Sequence, residues 1–445
     1  WSQFDLGWMY TFFFVLLGVS AAIWGGWLER AGPRKAGLVS TLCWCGGLLI
    51  SALGVIWHQL WMLWIGSGVI GGVGLGLGYI SPVSTLIKWF PDRRGMATGM
   101  AIMGFGGGAM IGSPLATYLM SVFKTDTTPG VWETFVAMAA IYLCFMLIGS
   151  FGYRLPPVGW KPEGWTPPVR ANAMITSKHV HLKNAHKTPQ FWLLWIVLCM
   201  NVSAGIGIIG AASPMLQETF GGALADRPEL GYLDMKKDAA LAAAAAAVGA
   251  GFVGLISLFN IFGRIAWASS SDNLGRKVTY FIFFTLGAAL YVLASFAADW
   301  RILALFVGAI CIIASMYGGG FATIPAYLAD MFGTQFVGAI HGRLLTAWST
   351  AGIVGPVIVN YLHDTRLASG VAPDQIYGPI FYILAGLLLV GFVANLLVRP
   401  VNPKWHMTDA ELAAEHARLH EGAEPAVPGS FGIGKGGIDA KAGAF

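Results

Sequence analysis

Eleven apolar stretches follow one another along this chain, at about 8–28, 36–57, 60–87, 95–123, 132–153, 190–217, 239–270, 277–298, 301–329, 338–362 and 378–398. A helix needs roughly 20 apolar residues to cross the hydrocarbon of a bilayer, and within lipid every backbone amide must be satisfied inside the protein. Only helices or a closed barrel meet that demand, and the short alternating segments of barrel strands are absent from the sequence. Charged residues make up 11% of the chain, against roughly a quarter in soluble domains. The sequence predicts an all-α polytopic membrane protein.

Most of the 27 lysines and arginines lie in the loops after the odd-numbered spans and in the C-terminal segment. Loops rich in Lys and Arg stay in the cytoplasm, which puts Trp1 outside and the C-terminus inside. Because these residues are spread over short loops, the net charge of +5 reports topology and not a nucleic-acid surface. Cys43, Cys45, Cys144, Cys199 and Cys311 all lie in apolar spans without zinc-ligand spacing, and read as small packing residues. The glycine run GFGGGAMIG (Gly104 to Gly112) sits in a hydrophobic segment and lacks the Lys-Ser/Thr ending of a nucleotide loop. No metal or cofactor is expected, and no nucleophile constellation in the spans points to an enzyme.

An internal repeat orders the spans. Glu29, Gly32, Gly95 and Gly99 recur as Asp272, Gly275, Gly338 and Gly342, each pair separated by the same 243 positions (29 to 272). Parallel repeats of this kind place a substrate near the membrane midplane between two halves. The expected organisation is a first helical bundle at 1–153, a proline-rich cytoplasmic linker at 154–188, a second bundle at 189–399 and a tail at 400–445. A short helix capped by Thr408 opens the tail, and the Gly/Ala/Pro-rich residues after it are expected to be disordered. The span 190–217 has no partner, since the repeat would place one before residue 1. A further helix is therefore expected ahead of Trp1 in the natural protein, making these eleven of twelve.

Within the stretch from Phe252 to Lys277 lies one intramembrane cation, Arg264. A charge at that depth costs about 2.5–3.5 kcal/mol on insertion scales, so it is rarely kept without a use. One reading is an anion-binding arginine facing a central cavity. The other is an arginine that snorkels or pairs with a neighbouring helix. No acidic residue lies near it in sequence, which favours the first.

The turn GWLERAGPRK (Gly26 to Lys35), echoed by SSDNLGRK (Ser270 to Lys277), resembles the loop signature of the major facilitator superfamily. Longer segments resemble its oxalate/formate antiporter family, which includes bacterial monocarboxylate transporters. These are Gly78 to Gly108, the linker PPVGWKPEGWTPP, NVSAGIGIIGAASPM (Asn201 to Met215) and TAWSTAGIVGP (Thr346 to Pro356). The resemblance implies two pseudo-symmetric six-helix bundles and a substrate carboxylate held by Arg264, whose guanidinium suits bidentate binding. Oxalate transporters carry a second cation, a lysine, where Trp348 stands here. A single fixed charge then matches a monoanion. Mammalian relatives place an aspartate where this chain has Asn260, so proton coupling is less directly implied than carboxylate binding. Tyr317 and Phe321 match aromatic pocket positions, with Tyr79, beside Ser81 and Pro82, on the opposite wall. Asn201 and Ser203 are weaker candidates, with interhelical bonding as their other reading.

The paired turns are expected to act as gates. Glu29 or Asp272, with Arg30, Arg34, Lys35, Arg276 and Lys277 around them, would form ion pairs with Arg93, Arg94 or Arg343. The expected function is secondary transport of small monocarboxylates such as lactate, pyruvate, acetate or formate in a bacterial plasma membrane. Its partners would be the anion, the bilayer and a proton or counter-anion, with no nucleic acid and no nucleotide. The alternatives are oxalate/formate exchange and a membrane sensor that binds a carboxylate without moving it.

Overall fold

Two of the long helices start where the sequence supplies a side-chain cap. The Thr188 side chain accepts from the Phe191 amide with Pro189 in the first turn, and Asp238 accepts from the amides of Ala240 and Leu241. The computed structural model describes residues 1, 3–157, 160–166 and 174–420. Parts of the linker and the C-terminal residues expected to be disordered fall outside the described residues.

Eleven long helices are described: α1 (Gln3–Ala31), α2 (Pro33–Ile56), α3 (Leu60–Trp89), α4 (Arg94–Phe123), α5 (Val131–Gly152), α6 (Pro189–Phe220), α7 (Ala239–Leu274), α8 (Arg276–Asp299), α9 (Leu303–Phe332), α10 (Val337–Ala368) and α11 (Tyr377–Leu397). All are long and apolar enough to cross a membrane. Among the described residues there is no strand, only an isolated bridge between Val180 and His406. The chain divides into a compact unit, Trp1–His406, and a second unit from Met407. In the second unit, helix Asp409–His420 begins with a reciprocal box in which the Glu411 amide donates to Thr408 Oγ1 and the Thr408 amide to Glu411 Oε2.

The repeat read from the sequence is built into the backbone. Gly32 and Gly275 occupy equivalent turns, joining α1 to α2 and α7 to α8, with φ of 82° and 87°. A side chain is strained in that region, so glycine is the residue that lets these helices fold back so tightly. Pro82 in α3 and Pro325 in α9 are likewise equivalent prolines inside helices. Neighbouring helices can re-satisfy the carbonyls that such prolines free.

The halves pack alike, with α1 on α3 and α2 on α5 mirrored by α7 on α9 and α8 on α11. They differ at α6, which covers α10 and α11 and has no counterpart among the described residues. The consequence is visible in burial. Only 12% of the most apolar stretch of α4 and 17% of that of α5 are buried, against 44% for each of α10 and α11. Between the halves, α1 packs on α10 and α7 on α4.

Candidate functional site

Glycines of the repeat lie at both of these contacts between halves. A Cβ added at Gly342 on α10 would lie 2.2 Å from the Ala21 carbonyl on α1, and one at Gly99 on α4 would lie 2.6 Å from the Arg264 carbonyl on α7. Small residues allow this backbone approach. Arg264 thus sits on the seam and is 2% exposed. Gly106 makes room for it, since a Cβ there would come 3.0 Å from Arg264 Nε.

Arg264 Nε donates to Oδ1 of Asn260, one turn earlier on α7 (2.9 Å), and Nη1 donates to the carbonyl of Ile102 on α4 (3.3 Å). Both acceptors are neutral. Among the described residues no carboxylate pairs with Arg264. Its guanidinium carbon lies 5.4 Å from the centroid of Phe105 and 5.7 Å from that of Phe321, a cation–π arrangement that needs no counter-charge. A buried cation held only by neutral acceptors and ring faces keeps its charge available for an incoming anion.

The remaining predicted residues close around this arginine. Trp348 on α10 meets Phe321 on α9 at 4.6 Å between ring centroids, Phe105 on α4 at 5.2 Å and Tyr79 on α3 at 5.5 Å. Tyr317 stacks edge-on against Phe321 at 5.4 Å, its ring lying in the notch left by Gly205 on α6. Arg264, Asn260, Tyr317, Phe321, Trp348 and Tyr79 therefore form one cluster from both halves. Ser203 does not join it, and Asn201 reaches only its edge, lining a small cavity with Tyr317. Asn201 lies against Gly320 and the Ser203 carbonyl against Gly355, in the packing seams of the second half. The sequence reading missed Phe105 and Phe14, whose ring lies 6.0 Å from Trp348. Phe105 was recoverable, because it is the repeat equivalent of Trp348, whereas Phe14 carries no such signal.

At the end of the bundle that carries the basic turns, the acids of the repeat cross between halves. Glu29 accepts from the Gly338 amide at the start of α10 (3.0 Å), and Asp272 accepts from the amides of Gly95 and Met96 at the start of α4 (2.8 and 2.9 Å). Each carboxylate meets the positive end of a helix in the opposite half. The ion pairs differ from those expected. Glu29 pairs with Lys88 at 2.8 Å, and Asp272 with Arg276 at 2.6 Å. Arg94 goes to Asp330 at 2.9 Å, which also binds Arg276 Nε at 3.0 Å. Arg93 pairs with Asp92, while Arg343 donates to the Leu182 carbonyl and contacts His186 Nδ1. Arg34 bonds the Tyr153 carbonyl within its own half, and Arg30 is exposed. Asp330 was missed because it ends an apolar helix and has no acidic repeat equivalent, Ile87 standing in its place.

The chain is 27% identical over 352 residues to the oxalate:formate antiporter of Oxalobacter formigenes, covering 77% of this chain and 72% of that protein. It is 24% identical over 399 residues to apicoplast pyruvate carrier 1 of Toxoplasma gondii, covering 76% and 66%. Its fold is similar to that of a variant of the E. coli fucose:proton symporter FucP, with a TM-score of 0.60 at 12% identity over 88% of this chain and 90% of the other. The family model described as Major Facilitator Superfamily matches residues 1–258 and 240–433. With helices, repeat and family match in agreement, this multi-pass membrane protein belongs to the Major Facilitator Superfamily of transporters.

Proposed function

We propose that the protein is a secondary carrier of small monocarboxylates, working by alternating access in a bacterial plasma membrane and coupled to a proton or a counter-anion. The observation that carries this reading is Arg264, buried on the seam between halves with neutral partners and no carboxylate among the described residues. An anion entering the seam would neutralise it, and a monoanion would do so without excess charge. The uncharged Trp348 supports a monoanion, since a dianion would bring one charge without a fixed partner, at a cost of several kcal/mol before relaxation. Tyr317, Phe321 and Tyr79 bound the substrate's other end.

The halves 1–153 and 189–399 rock about this site, joined by a linker at 154–188, with the tail at 400–445 in the cytoplasm. Glu29 and Asp272 hold the cytoplasmic end shut through the helix starts they cap. The test is uptake of labelled pyruvate or lactate by the reconstituted protein. Arg264→Ala and Arg264→Lys are expected to lose most of it, the lysine because it cannot reproduce a bidentate grip. Transport equal to the parent's in both variants would refute the role of Arg264.

Likeness to the oxalate:formate antiporter supports a second reading, exchange of oxalate for formate. Competition separates the two, because strong inhibition of pyruvate uptake by oxalate favours exchange and weak inhibition favours the monoanion carrier.

A further inference from the structure

The last carbonyls of a helix find no amide within it, and at the basic end the linker supplies the missing donors. At the end of α9 the Asp330 carbonyl accepts from the Thr176 amide (2.7 Å) and the Phe332 carbonyl from the Val180 amide (2.9 Å). At the end of α3 the Trp89 carbonyl accepts from Trp160 Nε1 (3.1 Å). Trp89 and Phe332 are repeat equivalents, 243 positions apart, so the linker caps the same helix end in each half.

The second cap is seated in the protein. Val180 is fully buried, and Gly333, with φ of 78°, leaves the notch in which His179 lies, since a Cβ there would come 2.4 Å from His179 Nδ1. The His181 ring lies against Phe336, with 4.9 Å between centroids, and Arg343 of α10 donates to the Leu182 carbonyl (2.7 Å). Leu182 also reaches the first half, because a Cβ at Gly26 on α1 would lie 3.3 Å from Leu182 Cδ2. These contacts fall on the turn that presents the closing groups. Asp330, whose carbonyl Thr176 caps, pairs with Arg94 of the first half, and the Gly338 amide just beyond the turn donates to Glu29.

We propose that residues 176–188 form a strap that favours the shut basic end. Docked, it holds Asp330 and Gly338 in place for the first half, and it leaves the α9–α10 turn when the halves part. This presumes the rocking proposed above and no particular substrate.

Ser84 on α3 reports on that seam, being 3% exposed with its Cβ against Gly338. In a background without the five native cysteines, the experiment measures maleimide labelling of Ser84→Cys in detergent, alone and with Val180→Asp, Thr176→Pro or Ile175→Asp. Val180→Asp puts a charge where no solvent reaches and should undock the strap, raising the labelling rate about tenfold through a larger open fraction. Thr176→Pro removes one donor and should raise it about threefold. Ile175 is 44% exposed, so Ile175→Asp should leave the strap docked and label like the parent. A strap that only stabilises the second half would lower the thermal midpoint and leave labelling alone. Parent-like labelling in both Val180→Asp and Thr176→Pro therefore overturns the proposal, as does equal acceleration in Ile175→Asp. Thr176→Pro keeps the test if Val180→Asp does not fold. Rocking is judged separately, by whether transport persists when Ser84→Cys and Gly338→Cys are joined in a disulfide.

Discussion

Arg264 shows how one side chain can be structurally satisfied and still chemically unspent. Its hydrogen bonds to Asn260 and Ile102 orient the guanidinium without neutralising it, and the rings of Phe105 and Phe321 flank it. On the proposed reading, the neutral Trp348 leaves Arg264 as the fixed charge that meets the anion. Replacing it with lysine would add a second cation beside the first, at about 2.5–3.5 kcal/mol for a charge at that depth. We expect Trp348→Lys to fold less stably and to gain affinity for oxalate, lowering its inhibition constant against pyruvate uptake by about tenfold or more. Oxalate inhibition unchanged from the parent would show that Trp348 does not set the charge selectivity. Arg264 itself was legible because lipid makes any buried charge conspicuous. The closeness of Tyr79 was less so, since nothing in the order of residues says which wall α3 presents.

Among the helices, the unexpected feature is the end of α9. Asp330 joins Arg94 of α4 to Arg276 of α8, with only 8% of the Asp330 and Arg276 side chains exposed. Removing one member of a buried ionic group leaves the others uncompensated, typically at about 3–5 kcal/mol. Asp330→Asn should therefore lower the thermal midpoint in detergent well below that of a surface control such as Asp364→Asn, and an equal midpoint would mean that the group is solvated and weak. Helix positions followed from apolar length, and the turns at Gly32 and Gly275 from the repeat. The partners of the turn acids did not follow, because charges spaced along a sequence do not reveal which helix start they will reach. Glu29 and Asp272 find amides at Gly338 and Gly95 only once opposite halves meet.

For the molecule as a whole, closure at the basic end rests on two equivalent seams, α1 against α10 and α7 against α4, both lined by repeat glycines. If transport requires these seams to part, a bond across that end must stop it. A Cβ at Gly338 would lie 2.8 Å from the Ser84 Cβ of the other half and 2.7 Å from Glu29 Oε1, so the seam must ease by about 1 Å, with the Glu29 side chain turning aside, to reach the about 3.5–4.5 Å of a disulfide. In a background without Cys43, Cys45, Cys144, Cys199 and Cys311, the pair Ser84→Cys and Gly338→Cys should be inactive when oxidised and recover on reduction. Transport by the oxidised form would rule out rocking at this end. The amino-acid sequence alone determined that the chain crosses the membrane as helices and that one arginine is held at depth, because both follow from the cost of placing polar groups in lipid, and that it repeats, because acids and glycines recur at one fixed offset. Tertiary structure decided what the arginine faces, which rings enclose it and which amides the turn acids cap. Those are contacts between residues distant in the chain, fixed by how closely the glycines let the two halves approach.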